Sequence, residues 1–454
     1  MATLIPPRGG AAAPPPRGAA PAAGSTTGQR PVSAKRDLLA AGPRPGATTE
    51  VLGWLRAVLD RPMTSYHLVL GAVSLLLIVG VMMVLSASSV SAYLLRSGDS
   101  YYYVKRQVLF LVIGLVLALV VMKLSSGMLR TLSWAGIGLA AVLLILTYTP
   151  LGQTINGNRN WLYIGSRSFQ IQPAEFAKLA MIVWGADVLA RKQRLLDQPK
   201  HLLVPYLPVN GLLILLVLFQ GDAGTAVVMA AIVAGVLWIV GAPLRVLGAL
   251  AGAGALGVVA IFVSSPVRMR RLAAFLDPTA DLGGANDQAN AGMYAIASGG
   301  WWGVGLGASR QKWGSLPEAH TDFIFAVLGE EFGLFGSLVV LALFLVLGYA
   351  GIRIATRSVD PFARYAAGGV TTWFMVQALI NLAVVLRLLP IAGVPLPLVS
   401  YGGSALMANM LAVGVLLACA RREPAAQAVL AGRSRRHRPR VSTVTGSRAG
   451  GGRA

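Results

Sequence analysis

The sequence is poor in cysteine, histidine and charge. Its 454 residues include one cysteine, Cys419, which excludes an intrachain disulfide and a cysteine-based metal site. The four histidines form neither an HExxH pattern nor any other close pair, so no histidine metal site is indicated. Charged residues make up 12% of the chain, against about 25% in soluble domains. This composition argues against a soluble domain and against a cysteine or histidine metal centre.

Long apolar blocks are abundant instead. Hydrophobic residues make up 55% of the chain. Blocks of roughly twenty apolar residues are long enough to cross a bilayer as helices, and the alternation that a membrane β-barrel needs is absent. We predict an all-α polytopic membrane protein with about ten transmembrane helices, at residues 67–88, 106–123, 132–149, 174–190, 203–219, 223–241, 244–264, 324–352, 364–386 and 401–420.

Positive charge is concentrated in the tails and in short loops. The net charge is +22, and its distribution favours membrane topology and contact with anionic membrane lipids over nucleic-acid binding. The loop charges place both termini in the cytoplasm. Nothing before residue 67 resembles a signal-peptide core, so the first span is expected to target the chain to the plasma membrane.

Composition also divides the chain into regions. The Pro/Ala/Gly-rich start and the basic end cannot bury a core. The longest connection between spans is predicted to form a large extracytoplasmic loop between spans seven and eight, and loops of that length are typically functional. We predict a disordered tail at 1–55, a transmembrane domain at 56–420 that includes the loop at 265–323, and a disordered basic tail at 421–454.

The stretch LPEAHTDFIF, residues 316–325, closes this loop. It places Glu318, His320 and Asp322 directly before an apolar run. A carboxylate at the start of a helix is stabilised by the helix dipole, so capping is one interpretation of Asp322. Partial desolvation would instead suit it to act as a general base. Glu330 and Glu331 follow in the same span, where charges normally face an interior cavity, and three acids exceed what capping needs.

Arginines begin the same loop. Arg268, Arg270 and Arg271 leave the seventh span on the predicted outer side, against the positive-inside tendency. Guanidinium groups bind phosphate through paired donors, which fits a lipid-linked phosphate. Contact with anionic headgroups or with loop carboxylates is the equal alternative.

Three tryptophans and a lysine lie between these ends. Trp301, Trp302 and Trp313 suit the membrane interface and also stacking on sugar faces, and interface anchoring is the commoner use. Lys312 adds another cation on the predicted outer side.

A second outer segment, residues 150–173, leads into the fourth span. It carries Arg159 and Trp161, and the span begins with Pro173, which suits a first helical turn. Glu175 complements the helix dipole and can pair with Lys178. Pairing does not explain why a lysine enters the membrane, where a cation usually marks a polar path.

Two short outer connections are rich in glycine, proline and serine. They are FQGDAGTA at 219–226 and LLPIAGVPLPLVSYGGS at 388–404, which includes Ser400. The prolines of the second fix the backbone of a re-entrant or tightly turned segment. Plain turn chemistry is the alternative for both.

Four of these stretches together resemble a known family. LPEAHTDFIFAVLGEEFG, PAEFAKLA, ASGGWWGVGLG and LPIAGVPLPLVSYGGS are similar, in this order, to the SEDS family of shape, elongation, division and sporulation proteins, which includes FtsW, RodA and SpoVE. The resemblance runs from the first span to the tenth and is stronger to the division branch, FtsW, than to RodA. The chain departs from the family pattern at Gly221, Ala291, Ala383 and Arg387, which weakens residue-level transfer there.

The resemblance implies a peptidoglycan glycosyltransferase. Such enzymes polymerise lipid II at the outer face of the plasma membrane and work with a class B penicillin-binding protein, an FtsI-like transpeptidase, among other divisome membrane proteins. The family's essential aspartate falls at Asp322. No tightly bound cofactor is implied, although Mg²⁺ or Mn²⁺ is a candidate for assisting the reaction, and no metal-ligand set is evident.

Candidate substrate contacts are drawn from all these stretches. We predict Asp322 as the catalytic base and, as substrate-binding residues, Arg159, Trp161, Glu175, Lys178, Arg268, Arg271, Lys312, Glu318, His320 and Ser400. A lipid II flippase, a scaffold for division proteins and an elongation polymerase are the alternatives. A flippase is disfavoured because the repeats and mid-membrane broken helices typical of transporters are not evident in the sequence.

Overall fold

A computed structural model describes residues 59–436, except 97, 156, 165, 197, 264–265, 278–285 and 315. Helices dominate the described residues, as the apolar blocks predict. They are α1 Thr64–Leu95, α2 Tyr102–Lys123, α3 Ser126–Leu146, α4 Pro173–Arg191, α5 Pro199–Leu203, α6 Tyr206–Phe219, α7 Ala223–Val240, α8 Leu244–Val263, α9 Pro266–Leu276, α10 Asp287–Gly299, α11 Ile324–Arg357, α12 Pro361–Val385, α13 Gly403–Ala420 and α14 Pro424–Arg436.

The all-α membrane fold is confirmed. Each of the ten predicted spans falls on a helix. Eight helical segments of the described chain are long and apolar enough to cross a membrane, and α8 has a shorter apolar stretch, Leu244–Ala260. The remaining predicted span, the fourth, is α4, which carries Glu175, Lys178, Asp187 and Arg191, and the first three of these are buried. Its charge is accommodated inside the protein.

The central helices differ from the peripheral ones in enclosure. The apolar stretch of α13 is 83% buried and that of α12 is 61% buried, whereas that of α2 is 22% buried. Helix α4 is also central, because its side chains from Pro173 to Leu189 are mostly buried. Buried charge includes Glu175, Lys178 and Asp187 on α4 and Glu330 and Glu331 in the first turns of α11.

Residues 150–173 contain a small antiparallel sheet, which is not among the elements predicted from the sequence. Its strands are β1 Gly152–Ile155, β2 Asn158–Ile164 and β3 Ser166–Ile171, in the order β1-β2-β3. Gln153 pairs with Trp161, and Tyr163 pairs with Gln170. The sheet leads directly into α4. It lies at the end of the bundle where α2, α7 and α11 begin, which we call the site end.

The loop at 265–323 is a folded element in its described part. It contains α9, α10 and a 3₁₀ turn at Gln311–Trp313. The predicted disorder after residue 421 is wrong for α14, Pro424–Arg436. Proline at the first position and the helix-forming alanines, glutamine and leucine of PAAQAVLAG explain this helix. Residues 437–454 of that tail and the predicted tail at 1–55 lie outside the described residues.

The connection between α12 and α13 crosses the bundle. We call residues 390–402 the crossing segment. Ala392 packs beside Gly224 at the start of α7, and Leu398 and Val399 reach the middle of α1. Close approach to α1 needs a glycine there, because a Cβ on Gly80 would lie 2.8 Å from the carbonyl oxygen of Leu398. The segment thus descends into the bundle, as a re-entrant segment does.

We expect Gly80→Ala to destabilise the protein. The added methyl would push on the backbone of Leu398 and Val399, which allows little local relief, and overpacking costs about 1–3 kcal/mol. Gly71 lies on the same helix with no atom within 4 Å of an added Cβ, so Gly71→Ala is the matched control. Its expected effect is a gain of up to about 1 kcal/mol. Thermal unfolding in detergent measures both, and equal midpoints would contradict the close approach.

Candidate functional site

Asp322 lies at the site end, just before α11. It immediately precedes Phe323, the residue at the N-cap of α11, and its side chain is half-buried. Its carboxylate faces the crossing segment, because a Cβ on Gly393 would lie 3.7 Å from Asp322 Oδ2. The carboxylate is thus placed between the start of a helix and an irregular backbone segment.

The turn that carries Asp322 is held by hydrogen bonds to three consecutive backbone carbonyl groups. The backbone N–H of Tyr401 donates to His320 O at 3.0 Å, and Ser400 Oγ donates to Thr321 O at 2.6 Å. Asn381 Nδ2, from α12, donates to Asp322 O at 2.7 Å. All three donors belong to α12 or to the segment that follows it, so the position of Asp322 depends on that part of the chain.

Ser400 and Asn381 also shape the crossing segment itself. Ser400 Oγ accepts a hydrogen bond from Leu396 N at 2.9 Å, and Asn381 Nδ2 donates to Val394 O at 2.8 Å. Each side chain therefore joins the crossing segment to the Asp322 turn. Asn381 is a site residue that sequence reasoning misses, because an asparagine inside an apolar span is its only local signal.

A buried charge cluster supports the crossing segment from the α4 side. Lys178 Nζ donates to Glu175 Oε1 and to Gln377 Oε1, each at 2.8 Å, and lies 4.9 Å from the ring centroid of Trp373. Gln377 Nε2 then donates to Pro395 O at 2.9 Å. Lys178 and Glu175 are each 1% exposed. Their contact with the site runs through Gln377, which sequence reasoning also misses.

An aromatic cluster encloses His320. Its ring centroid lies 4.7 Å from that of Tyr103 and 5.5 Å from that of Tyr401. Burial lowers the pKa of the His320 imidazole below its ordinary value of 6.5, although the nearby Glu318 carboxylate opposes the shift. Burial likewise raises the pKa of the Tyr401 hydroxyl. The histidine is held largely neutral near neutral pH.

We expect His320 to make the protein less stable in mild acid. Because its pKa is lower in the folded state, the unfolded chain binds the proton more tightly, and stability falls as pH drops through about 6.5. His320→Phe keeps an aromatic ring against Tyr103 and Tyr401 but removes the proton site. The loss of thermal stability between about pH 7.5 and 5.5 should be smaller in the variant. Identical losses in both proteins would refute the assignment.

Two arginines beside this cluster are further candidates that sequence reasoning misses. Arg96 lies 4.9 Å and Arg106 lies 5.6 Å from the ring centroid of Tyr102, and Arg106 Nη1 donates to the Tyr102 hydroxyl at 2.9 Å. Both follow or begin helices at the site end. The local signal for Arg106 is the stretch YYYVKRQ, residues 101–107, at the start of α2.

The sheet is fixed to the bundle through Asp222. Asp222 Oδ2 accepts from Asn160 Nδ2 and from Gln172 Nε2, each at 2.9 Å, while Oδ1 caps α7 through Thr225 N at 3.0 Å. Arg159 Nη2 donates to Thr149 O at 2.8 Å. Arg159 and Trp161 therefore lie on β2 on either side of the buried Asn160.

The other predicted contacts are spread more widely. Glu318 is exposed and its Oε2 accepts from Thr321 Oγ1 at 2.7 Å, whereas Lys312 is buried beside Glu331. Arg268 and Arg271 lie on α9, and their side chains are outside the described residues. The structure brings Asp322, His320 and Ser400 together. The binding roles of all these residues stay predictions.

The described residues do not form a metal centre around Asp322. No three His, Cys, Asp or Glu side chains in the described part of the chain come close enough to hold a metal ion. The chemistry available to Asp322 is proton transfer to a half-buried carboxylate.

Comparison with known proteins agrees with the motifs. A family of proteins described as cell cycle proteins, covering FtsW, RodA and SpoVE, matches residues 66–424. A probable peptidoglycan glycosyltransferase FtsW of Mycobacterium tuberculosis is 38% identical over 89% of this chain and 77% of its own length. Stage V sporulation protein E of Bacillus subtilis is 39% identical over 78% of this chain and 96% of its own.

Solved structures agree as well. The chain is similar to a protein in a peptidoglycan synthase complex that coordinates polymerization and crosslinking, with a TM-score of 0.63, 27% identity, and coverage of 81% of this chain and 99% of the other. It is also similar to the rod shape determining protein RodA of Thermus thermophilus, with a TM-score of 0.57, 27% identity, and coverage of 81% and 98%. This multi-pass membrane protein belongs to the FtsW/RodA/SpoVE family.

Proposed function

We propose that the chain is a peptidoglycan glycosyltransferase that polymerises lipid II into glycan strands at the outer face of the plasma membrane. The observation that carries the proposal is the Asp322 carboxylate, whose turn is held by three carbonyl hydrogen bonds at the site end of the bundle. Family membership and relatives named as peptidoglycan glycosyltransferases support it.

In this mechanism the growing strand is the donor and its undecaprenyl pyrophosphate is the leaving group. A sugar 4-hydroxyl of lipid II attacks the anomeric carbon while Asp322 takes the hydroxyl proton. The new C–O bond forms as the bond to pyrophosphate breaks, and both electrons of the broken bond leave with the pyrophosphate. A single displacement inverts the anomeric centre and turns an α-linked pyrophosphate into a β-glycosidic bond.

Cations at the site end would stabilise the departing pyrophosphate. The sequence-based candidates are Arg159, Arg268, Arg271 and Lys312. The structure adds Arg96 and Arg106, which both lie against the ring of Tyr102. Mg²⁺ or Mn²⁺, the candidate ions of the sequence analysis, would supply the same charge stabilisation if bound to the pyrophosphate.

The proposed partner is a class B penicillin-binding protein that crosslinks the new strand. Support comes from the likeness to a protein of a peptidoglycan synthase complex that coordinates polymerization and crosslinking. We propose that the pair acts at the division septum with other divisome membrane proteins and that both chain termini lie in the cytoplasm. A fluorescent fusion should concentrate at the septum, and placement along the lateral wall would favour the elongation role instead.

Reconstitution with labelled lipid II tests the activity. The purified chain, with its transpeptidase partner in proteoliposomes, should convert lipid II into glycan strands that resolve on a gel. Translocation of lipid II across the bilayer without glycan formation would contradict the proposal and support a flippase.

A further inference from the structure

Helix α11 is broken one third of the way along its length. Gly333 has φ 65° and ψ −162°, outside the helical region, so the helix consists of Ile324–Phe332 and a longer part that begins at Leu334. We call Ile324–Phe332 the short arm. Asp322 sits directly before it. Because the helical backbone is interrupted at Gly333, helix continuity alone does not fix the short arm relative to the rest of α11.

Residues 300–313, which we call the strap, fill the break. Val304 N and Gly305 N donate to the carbonyl oxygens of Glu330 and Glu331, at 3.0 and 3.1 Å. On the other side of the break, Leu334 N donates to Gly300 O at 2.9 Å and Phe335 N donates to Trp301 O at 3.2 Å. The strap thus bonds to both parts of α11. These are the backbone groups that the break would otherwise leave unpaired.

A buried ion pair secures the strap to the short arm. Lys312 Nζ lies 3.1 Å from Glu331 Oε1, and the two side chains are 3% and 0% exposed. The same ammonium group donates to Gly307 O at 2.7 Å and to Ser86 Oγ of α1 at 3.1 Å. Ser86 Oγ in turn donates to Glu331 Oε1 at 2.5 Å. All three ammonium hydrogens therefore have acceptors within the protein.

The neighbouring carboxylate holds the same strap. Ser309 Oγ donates to Glu330 Oε2 at 2.5 Å, and Arg310 N donates to Glu330 Oε1 at 2.8 Å. Glu330 and Glu331 thereby join three elements, namely α1, the strap and the short arm. Charges this deeply buried are costly unless they are paired, and even a paired buried charge adds little net stability. A role other than stability therefore has to account for this pair.

We propose that Lys312 and Glu331 are positioning residues that fix the short arm and therefore Asp322. Glu331 lies roughly 10 Å along the helix from its first residue, at 1.5 Å per residue, so the pair acts through the helix and not by contact with the carboxylate. The inference rests on the proposed function, since its kinetic consequence is a misplaced base. It also assigns Lys312 a role different from pyrophosphate binding.

Steady-state kinetics separate the two roles of Lys312. The proteins compared are wild type, Lys312→Met, Glu331→Gln and the double variant, each with its partner in proteoliposomes and labelled lipid II. A positioning role predicts that each single substitution lowers kcat by about 10- to 100-fold, as a displacement of about 1 Å does, while KM for lipid II changes little. A higher KM with unchanged kcat would overturn the proposal and support substrate binding by Lys312.

The double variant tests the pair as a unit. It removes both charges together, so neither partner is left as an isolated buried ion. The kcat of the double variant should therefore be well above the value expected if the two single-variant losses multiplied. Losses that multiply would mean that the two residues act independently, contrary to the proposal.

Hydrogen–deuterium exchange provides a readout apart from activity. Amides of the short arm should exchange faster in Lys312→Met, whereas those of the longer part of α11 should not. Faster exchange throughout the protein would indicate general destabilisation and overturn the positioning role. Ser86→Ala removes one hydrogen bond from each partner and is the milder variant if the charge variants do not fold; it should show the same pattern with a kcat loss of a few-fold.

Arg357→Met is the matched control. Arg357 pairs with Asp60 at the opposite end of the same helix, and its side chain is 41% exposed, so kcat and short-arm exchange should stay at wild-type values. Inactive wild type would refute the proposed function. Active wild type together with fully active pair variants would refute only the positioning role.

Discussion

Asp322→Asn is expected to lower the rate of lipid II polymerisation by about 100- to 10,000-fold, the range over which a general base contributes. Asparagine has nearly the same shape but cannot accept the proton of the attacking hydroxyl. The backbone carbonyl that accepts from Asn381 at 2.7 Å is unchanged, so the turn should keep its position. Initial rates with labelled lipid II measure the effect, and thermal unfolding in detergent confirms that the variant is folded.

Asp99→Asn is the control for this prediction. Asp99 lies between α1 and α2 at the same end of the bundle, where it pairs with Lys105 at 3.0 Å. Its side chain is partly exposed and does not bond to the Asp322 turn in the described contacts, so its loss should change the rate less than about twofold. Near-wild-type polymerisation by a folded Asp322→Asn protein would eliminate Asp322 as the base.

Much of the fold is predictable because a bilayer strongly restricts sequence. Helices that cross it must be long and apolar, and every predicted span falls on a helix. The sheet is less predictable, since the local sequence of β2 and β3, NRNWLYIGSRSFQI, lacks a long alternating pattern. Helix α14 is missed because a basic composition outweighs a short run of helix-forming residues.

The site, like the fold, is predictable where local sequence determines the structure and not where helix packing does. The placement of Asp322 beside a helix start, and of Ser400 within a turned segment, follows from local proline, glycine and charge patterns. The partners do not follow from the sequence. Lys178 bonds to Gln377, which is 199 residues away, and Ser86 bonds to Glu331, which is 245 residues away. Such pairs depend on helix packing, and a single sequence does not specify the packing.

Lys312 illustrates this limit. Its position in a loop on the predicted outer side predicts an exposed cation, yet its ammonium group is enclosed by Ser86, Gly307 and Glu331. The break at Gly333 creates the enclosure. A glycine within an apolar helical stretch only weakly indicates a break, because its dihedral angles depend on what packs against it.

Lys178→Met should have the second large effect, on stability and activity together. The substitution leaves Glu175 as a buried carboxylate without its cation, and breaking one side of a buried pair costs about 3–5 kcal/mol. It also releases Gln377, which holds Pro395 of the crossing segment at 2.9 Å. We expect a thermal midpoint many degrees lower in detergent and little polymerisation by the protein that remains folded.

Glu175→Gln combined with Lys178→Met separates charge from shape. With both charges removed, the midpoint should recover toward wild type, because no uncompensated buried ion remains. Activity that returns with stability would assign the pair to support of the crossing segment through Gln377. Stability that returns without activity would instead place Lys178 or Glu175 in contact with substrate. A Lys178→Met protein with wild-type stability would contradict the burial of an uncompensated Glu175. Lys105→Met is the control, because Lys105 belongs to an exposed pair at the same end of the bundle. There the same substitution leaves a partner that water can solvate.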